Sequence, residues 1–337
     1  MLGIIDACTN TTALQPLTFY RSIAAIPFAG RYRLIDFTLS NMVNSGISSV
    51  AIFPRDRYRA LMDHIGSGKE WDLDRKRDGL FIFPPMTSDL HLESPSLFTQ
   101  FRYHIDYFLR SKQEYVLIAN SYTICTVDFE HVLQRHIASN ADITEMKQGD
   151  KSLNMYIINK SILVNILQNE SHDFYTIKEM VRYMAQSHRV EKYEHHGYTA
   201  EISSLDAYYK TSMEILSPDV WKQLFINERP VFTKVKDEPP TRYAKKAVVK
   251  NSMIANGCVI EGHVENSIIF RGVKIGKGTV VKNSIVMQKG VILENSVLEN
   301  VVLDKDVKIG SNETLLGESG LPRVIAKGTT QGALMKS

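Results

Sequence analysis

The sequence lacks the features that would tie it to a membrane, a secretory route or a nucleic acid. It has no apolar run of membrane-spanning length, and its apolar start at residues 2–5 is too short for a signal peptide and has no basic leader. The formal net charge is only +3, from 40 basic and 37 acidic residues, so no polyanionic partner is implied. Cys8, Cys125 and Cys258 show neither metal-binding nor redox spacing. We therefore expect a cytoplasmic protein with no membrane or nucleic-acid partner.

Glycine is also missing where a nucleotide-binding loop would need it. The apolar run at 4–7 predicts a first buried strand, and helical spacing over 28–45, ended by Gly46, predicts the following helix. Loops that hold phosphates between such a strand and helix use glycines, which permit positive φ and bring backbone N–H groups close to the anion. Residues 8–25 contain no glycine and one basic residue, Arg21. This loop is poorly suited to hold a triphosphate.

The 337 residues are enough for two domains. The hydrophobic fraction of 44% is sufficient to form a core. Apolar runs predict strands at 50–53, 80–83, 115–119 and 152–158. Helical spacing predicts helices at 57–64, 97–109, 129–140, 161–167, 176–187 and 204–216. This alternation favours an α/β fold with a mostly parallel sheet and helices on both faces. Pro230, Pro239 and Pro240 follow it, so we assign residues 1–230 to this domain and 231–243 to a linker.

Beyond the linker the apolar residues recur with a period of six. One series is Val273, Thr279, Ile285, Val291, Val297, Leu303 and Ile309, and a second is Ile269, Ile275, Val281, Met287 and Leu293. The pair Asn-Ser followed by two apolar residues recurs at Asn251, Asn266, Asn283 and Asn295. Such hexapeptide repeats build a parallel β-helix around an aliphatic stack. Residues 244–337 are therefore predicted to form a β-helix, whose open ends and flat faces favour association with other subunits.

A specific resemblance is carried by residues 28–47, FAGRYRLIDFTLSNMVNSGI, and residues 64–75, HIGSGKEWDLDR. Both closely resemble bacterial glucose-1-phosphate adenylyltransferase (ADP-glucose pyrophosphorylase), which makes ADP-glucose for glycogen synthesis from ATP and glucose 1-phosphate. The resemblance covers most of the chain. It is greatest to the GlgD-type subunit, a paralogue that accompanies the catalytic subunit in some bacteria. It implies a Rossmann-like nucleotidyltransferase domain followed by a left-handed parallel β-helix.

The resemblance also identifies functional groups of that family that are absent here. The family's nucleotide loop, roughly Gly-Gly-x-Gly-Thr-Arg-Leu, aligns with residues 8–14, and the lysine that follows it aligns with Ile23. The aspartate of a Gly-Asp-His motif, which resembles a metal ligand, aligns with Tyr122, and an Asp-Val-Gly-Thr motif aligns from Glu201 onward. A Gly-Thr-Ala-Asp-Ala motif that lies against the nucleotide aligns with residues 96–100. The degenerate former-site positions are Cys8, Thr9, Thr11, Ala13, Ile23, Tyr122 and Glu201.

These replacements imply that the family's catalysis has been lost. Removing one preorganised donor commonly lowers a rate by a factor of ~10²–10³, and a tyrosine hydroxyl is a poor Mg²⁺ ligand at neutral pH. We therefore assign no catalytic residue, no metal and no cofactor. The resemblance implies a regulatory subunit of the adenylyltransferase, bound to the catalytic subunit in a heterotetramer or self-associated as a homo-oligomer.

Two basic residues remain beside the former loop, Arg31 and Arg33. Bidentate contacts from their guanidinium groups would suit a sugar-phosphate effector. The structural alternative is that they pair with Asp36 or Asp56 and orient the following helix.

Two other functions stay open at this point. One is an active sugar-phosphate nucleotidyltransferase with an atypical nucleotide loop. The other is a coenzyme A-dependent acyltransferase that uses His263, which stands between Glu261 and Glu265 in the repeats.

Between residues 142 and 152 the chain is a few tens of residues shorter than the family predicts, either by natural deletion or through a missing segment. This region lacks the family's Glu-Lys-Pro motif, whose lysine contacts the sugar phosphate.

Overall fold

A computed structural model describes residues 1–9, 12–85, 96–169 and 174–332. The strands of its first domain are β1 (Leu2–Ala7), β2 (Pro27–Phe28), β3 (Tyr32–Arg33), β4 (Ser49–Pro54), β5 (Gly79–Ile82), β6 (Tyr115–Asn120), β7 (Thr123–Cys125), β8 (Ile143–Gln148), β9 (Lys151–Asn159), β10 (Val190–Glu194) and β11 (Thr199–Glu201). The α-helices are α1 (Leu34–Asn44), α2 (Arg59–Ile65), α3 (Leu97–Tyr103), α4 (Ile105–Arg110), α5 (Phe129–Ala138), α6 (Lys160–Gln168), α7 (Ile177–Met184), α8 (Leu205–Glu214) and α9 (Pro218–Leu224). None of the helices within these described ranges is long and apolar enough to cross a lipid bilayer.

Seven strands form one sheet in the order β10-β8-β9-β6-β1-β4-β5. Every neighbouring pair is parallel except the two that β9 makes with β6 and β8. Successive residues of β1 point to opposite faces of the sheet. On one face Ile5 and Ala7 pack in a core cluster with residues of α1 and α5. On the other face Leu2 and Ile4 pack with residues of α3, α6 and α7. A mostly parallel sheet with helices on both faces confirms the predicted fold class.

Two predicted helices differ from the structure: one begins later than expected, and the other is divided in two. The helix predicted over 28–45 begins only at Leu34, because β2 and β3 form a short hairpin whose turn holds Ala29 at φ 48° and Gly30 at φ 76°. At the start of the helix the backbone N–H of Arg33 donates to Asp36 Oδ2 at 2.9 Å, so a side chain of the first turn satisfies this N–H group. The single helix predicted over 97–109 is divided at His104 into α3 and α4.

Sequence reasoning missed β8 and α9. Gln148 of β8 pairs with Lys151 of β9, so the chain crosses the 142–152 region as a tight antiparallel hairpin. The turn contains Gly149 at φ 57°, a conformation that glycine adopts without steric cost. Pro218 lies in the first turn of α9, where a missing N–H is tolerated.

The remaining strands stack as three parallel sheets and confirm the predicted β-helix. The first sheet contains β12 (Arg242–Tyr243), β15 (Val259–Ile260), β18 (Lys274–Ile275), β21 (Val291–Ile292), β24 (Lys308–Ile309) and β27 (Thr330–Gln331). The second contains β13 (Val248–Lys250), β16 (His263–Glu265), β19 (Val280–Lys282), β22 (Val297–Glu299) and β25 (Thr314–Leu316). The third contains β14 (Met253–Ile254), β17 (Ile268–Ile269), β20 (Ile285–Val286), β23 (Val301–Leu303) and β26 (Arg323–Ile325). Because β12 begins at Arg242, the last two residues of the predicted 231–243 linker belong to the β-helix.

The strict period of six identifies most of the inward residues, but not all of them. The N–H of Ser284 donates to Ser267 Oγ in the preceding coil, 17 residues earlier, which is one fewer than three hexapeptides. That coil is therefore one residue shorter than three hexapeptides, and its corner holds Asn283 at φ 45°, a left-handed conformation that asparagine tolerates. Most of the predicted positions, such as Val273 and Ile309, are buried, but Val297 lies outward and is 37% exposed, whereas its neighbour Leu298 is fully buried.

The third sheet of the β-helix packs against the first domain. Ile268, Phe270 and Ile285 share a buried cluster with Tyr208 and Ile215, which lie in and just after α8. The hydroxyl of Tyr208 donates to the carbonyl of Pro27 at 2.8 Å. This contact surface places residues 20–33 of the first domain close to the β-helix.

Candidate functional site

The predicted former site lies where β1 and β6 end side by side. These strands are parallel and pair through Asp6 and Asn120, so the segments that follow them emerge at the same edge of the sheet. Cys8 and Thr9 follow β1, and Tyr122 follows β6. The carboxyl edge of such a sheet is where α/β proteins commonly bind ligands. The structure therefore brings Cys8, Thr9 and Tyr122 to the same edge of the sheet.

Cys8 fills its position with a buried, uncharged thiol. Its backbone N–H donates to Asp6 Oδ1 at 2.8 Å, and its thiol donates to the carbonyl of Phe53 at 3.2 Å. The side-chain amide of Gln100 donates to Cys8 Sγ at 3.1 Å. Burial raises the pKa of the Cys8 thiol well above its usual value, with the nearby carboxyl of Asp6 adding to the shift. Burial likewise raises the pKa of Asp6. This end of β1 thus presents a thiol and a carboxyl group to any entering phosphate.

Tyr122 is held in place by local hydrogen bonds. The side-chain oxygen of Asn120 accepts from the N–H groups of Tyr122 and Thr123, at 3.0 and 2.8 Å. The phenol of Tyr122 is hydrogen-bonded to the side chain of Thr9, and burial, with a smaller contribution from Asp6, raises its pKa to about 12. The phenol is therefore uncharged at neutral pH.

Glu201 retains a carboxylate, but other groups already engage it. Glu201 lies on β11, opposite Thr123 of β7, which places it beside Tyr122. Its Oε2 is 3.3 Å from Lys151 Nζ, and its Oε1 accepts a hydrogen bond from Asn154 Nδ2 at 3.4 Å. Lys151 and Asn154 both belong to β9.

These residues do not fit the Mg²⁺ ion that nucleotidyl transfer requires. Mg²⁺ prefers carboxylate oxygens and water in octahedral geometry. Here the position next to Glu201 carries the neutral phenol of Tyr122, and the carboxylate of Glu201 is paired with a lysine. The part of the chain that the structure describes contains no group of three or more His, Cys, Asp or Glu side chains arranged to hold a metal ion. This site is therefore poorly suited to bind Mg²⁺.

The other former-site positions offer no cation to a phosphate. Ile23 lies in a 3₁₀ helix (Ile23–Ala25) and is buried in the same apolar cluster as Leu14. Ala13 is exposed in the preceding 3₁₀ helix (Thr12–Leu14). Thr11 lies outside the described residues.

Arg31 and Arg33 lie on the hairpin before α1 and have different surroundings. The guanidinium of Arg33 donates to the carbonyls of Ala25 and Ala60, at 3.2 and 2.9 Å. Burial lowers its pKa to about 10, while the nearby Asp36 opposes that shift. Arg31 is exposed and lies over the ring of Tyr32, 5.5 Å from its centroid. Neither guanidinium forms the ion pair with Asp36 that the structural alternative suggested, since the carboxylate of Asp36 is hydrogen-bonded by His64 instead.

Further cations from the β-helix lie near this hairpin, and sequence reasoning missed them. Burial lowers the pKa of Lys305 to about 7, and the positive charges of Arg33 and Arg21 contribute to the shift. Burial also lowers the pKa of Arg271; the carboxylate of Glu238 opposes this shift, and Arg31 adds to it. No local pattern could have signalled this grouping, because its members from the β-helix are more than two hundred residues from its members in the first domain. We call Arg21, Arg31, Arg33, Arg271 and Lys305 the interdomain basic cluster.

Comparisons with known proteins agree with the two-domain architecture. Residues 2–154 match the Nucleotidyl transferase family model, and residues 239–319 match the model described as GlmU-like, C-terminal hexapeptide. The chain is 54% identical to the glycogen biosynthesis protein GlgD of Bacillus subtilis over 340 residues, which cover 100% of this chain and 98% of that protein. It is also 54% identical to GlgD of Geobacillus stearothermophilus, over 99% of this chain and 98% of the relative.

The chain belongs to the GlgD family. This GlgD-family chain is also related to glucose-1-phosphate adenylyltransferase: it is 32% identical to the enzyme named so from Thermotoga neapolitana, over 84% of this chain and 76% of that protein. That alignment spans 327 positions, which is several tens more than the residues this chain contributes to it. The alignment with the Bacillus subtilis GlgD leaves room for only a few such positions. The shortness relative to the adenylyltransferases is therefore shared with that GlgD relative.

Proposed function

We propose that this GlgD-family chain is a non-catalytic, regulatory subunit of glucose-1-phosphate adenylyltransferase in glycogen biosynthesis. The observation that carries the proposal is the pairing at the carboxyl edge of the sheet. There a half-buried phenol with a pKa of about 12, Tyr122, stands beside a carboxylate, Glu201, that is already engaged by Lys151. Such a pair supplies neither the metal ligands nor the cations that nucleotidyl transfer needs.

Electrostatics near the end of β1 argue against ATP binding as well. Cys8 is buried there and Asp6 is half-buried, and both groups have raised pKa values. Ile23 is an apolar core residue at the position where the family has a lysine. A triphosphate that entered would lose its hydration without gaining compensating positive charge, which is costly in a buried site. The fold of the domain is retained, whereas the residues that bind polyphosphate in the family have been replaced.

The interdomain basic cluster is the site at which a sugar-phosphate effector would bind. Arg31 and Arg33 stand beside Arg271 and Lys305 of the β-helix, so a bound sugar phosphate would contact both domains. A ligand that prefers one relative arrangement of the domains shifts the equilibrium toward it. In a heterotetramer the chain would bind the catalytic paralogue, and its contacts with that subunit would differ between the two domain arrangements. The effector would thereby change the conformational equilibrium of the catalytic subunit. Self-association as a homo-oligomer is the other assembly we consider.

We place this role in the cytoplasm. Cys8, Cys125 and Cys258 are all free and buried thiols, in keeping with a reducing compartment. The proposed partners are the catalytic adenylyltransferase subunit and a sugar-phosphate effector, with no nucleic acid or membrane.

The first test measures ADP-glucose and pyrophosphate formation by the purified chain alone, with ATP, glucose 1-phosphate and Mg²⁺. We expect no turnover above background. Robust turnover by this chain without a companion would reject the proposal in favour of an active nucleotidyltransferase.

The second test adds the chain to the catalytic paralogue and measures co-purification and the kinetics of the mixture. We expect a stable complex and altered activation or substrate affinity. A matched variant, Arg33→Ala, should still co-purify but should respond less to sugar phosphates. If the wild-type chain neither associates nor changes the kinetics, the regulatory role is wrong.

A further inference from the structure

The outer face of the second sheet of the β-helix carries a regular pattern of side chains. In each of its three-residue strands the middle residue points inward, as the fully buried Val264, Val281 and Leu298 show. The flanking residues therefore point outward in two columns. The first column includes Val248 and Val297, which are 40% and 37% exposed. We call this surface the second-sheet face.

The second column of this face alternates in charge from rung to rung. The strand registers place Lys250 beside Glu265, Glu265 beside Lys282, and Lys282 beside Glu299. Within the chain, Lys282 Nζ is 3.5 Å from Glu265 Oε2, so neighbouring rungs already attract each other. Four rungs thus read positive, negative, positive, negative along the axis of the β-helix.

This order is self-complementary under a two-fold rotation. Consider an axis parallel to the strands, midway between the rungs of Glu265 and Lys282. The rotation places Lys250 opposite Glu299 of a second copy, and Glu265 opposite Lys282 of that copy. Each contact occurs twice, as in any isologous interface. The same rotation places Val248 opposite Val297 of the second copy, so apolar side chains meet beside the charges.

The charges also select this register over its neighbours. A shift by one rung in one direction opposes Glu265 with Glu299 and Lys282 with Lys282. A shift in the other direction opposes Lys250 with Lys282 and Glu265 with Glu265. Like charges that face each other directly disfavour both alternatives, which is how charged interfaces fix their register.

We propose that the second-sheet face is a docking surface for a second copy of this chain, arranged about this two-fold axis with the two β-helices antiparallel. Four rungs spaced ~4.8 Å apart extend less than roughly 20 Å along the axis, which is small beside the ~800 Å² per partner of a standard interface. The contact is therefore weak on its own and sensitive to salt. This inference is independent of the regulatory role proposed above.

A cysteine pair tests the geometry directly. In the variant V248C/V297C each new thiol faces its counterpart on the second copy. Within one chain these residues are three rungs apart, about 14 Å at the usual strand spacing, which is too far for a disulfide. The three native cysteines are buried. Mild oxidation should give a covalent dimer on a non-reducing gel, whereas the matched variant V248C/V280C, whose new thiols do not face each other across the axis, should stay monomeric. Equal cross-linking of both variants, or of neither, would overturn the proposal.

Charge exchange tests the energetics. The variant K250E/K282E makes the column entirely acidic, and E265K/E299K makes it entirely basic. In sedimentation experiments at low salt we expect each to self-associate at least about tenfold more weakly than wild type, and an equimolar mixture to recover association. The control K274E/K308E reverses two lysines on the first sheet and should leave association unchanged. Thermal unfolding of each variant checks that the fold is intact.

Two results would contradict the docking proposal in this second experiment. One is a wild-type chain that stays monomeric at every concentration reached. The other is a control that weakens association as much as K250E/K282E does. Association of the face only with a different chain would likewise overturn the self-pairing.

Discussion

The guanidinium of Arg21 lies 2.9 Å from the carboxylate of Asp304, and the two side chains are only 3% and 1% exposed. Arg21 comes from the loop that follows β1, whereas Asp304 follows β23 of the β-helix. Arg21 also donates to the carbonyl of Leu17 at 3.2 Å, and Asp304 accepts from the N–H of Lys305 at 2.7 Å. A buried ion pair therefore connects the former nucleotide loop with the second domain.

Removing one partner of this pair should destabilise the fold strongly. Arg21→Met leaves the carboxylate of Asp304 buried without its cation, which commonly costs about 3–5 kcal/mol. The double variant R21M/D304L removes both charges and should be more stable than R21M alone. Guanidinium denaturation followed by fluorescence measures both. An R21M chain within about 1 kcal/mol of wild type would show that the pair is not an important interdomain contact.

The pH dependence of stability should depend in part on His64. Its Nε2 lies 2.6 Å from Asp36 Oδ1, and burial lowers the pKa of His64 although the carboxylate of Asp36 opposes the shift. Because the folded-state pKa lies below the unfolded value of about 6.5, the unfolded chain binds more protons as the pH falls through that value. The free energy of unfolding should therefore be highest above about pH 6.5 and decrease below it.

The matched variant for this prediction is His64→Asn, whose amide can still donate to Asp36. We expect its urea midpoint to fall less than that of wild type between about pH 7.5 and about pH 5.5. Burial also lowers the pKa of His136, which stays in both chains, so some pH dependence should persist. Identical pH profiles for the two chains would exclude His64 as a contributor.

The sequence predicted those features that rest on local periodicity. Alternating strands and helices gave the fold class, and the recurrent Asn-Ser pairs gave the β-helix. It could not place the start of α1 at Leu34, because helical spacing continues upstream through the β2–β3 hairpin. A few inward positions were misassigned for a related reason: where a coil has 17 residues, as from Ser267 to Ser284, a strict period of six falls out of register, and it places Val297 inward although that residue is 37% exposed.

Alignment with the family predicted the positions of the candidate-site residues but not the contacts that their side chains make. The positions of Cys8, Thr9 and Tyr122 converge as expected because parallel strands end at one edge of the sheet. The pairing of Glu201 with Lys151 was not predicted, because it depends on β9, which runs antiparallel to β6 and β8. Long-range contacts of this kind leave no periodic signal in the sequence.

Restoring one metal-ligand position should not restore activity. In Tyr122→Asp the new carboxylate would lie beside Asp6 and Glu201, and burial with like charges disfavours its ionised form. The glycines and the lysine that would hold the phosphates are still absent. We expect no ADP-glucose formation by this variant and a loss of stability of about 1–3 kcal/mol. Tyr122→Phe, which loses only the hydrogen bond to Thr9, is the control and should unfold closer to wild type. Turnover by Tyr122→Asp would show that the rest of the active site had survived.

Binding of a phosphorylated effector to the interdomain basic cluster should depend on the protonation of Lys305. The pKa of Lys305 is lowered to about 7, first by burial and then by Arg33 and Arg21. A bound anion favours the protonated amine, so binding takes up protons near neutral pH, and the affinity should fall as the pH rises above 7. A phosphate monoester is fully ionised in this range, since its second pKa is about 6, and does not contribute to the change. Calorimetric titration with glucose 1-phosphate, from about pH 7 to about pH 8.5, measures the trend. Lys305→Arg keeps the positive charge at every pH in this range and should flatten the dependence, whereas Lys305→Ala should weaken binding throughout. A wild-type affinity that does not change with pH, or that Lys305→Ala leaves intact, would remove Lys305 from the effector site.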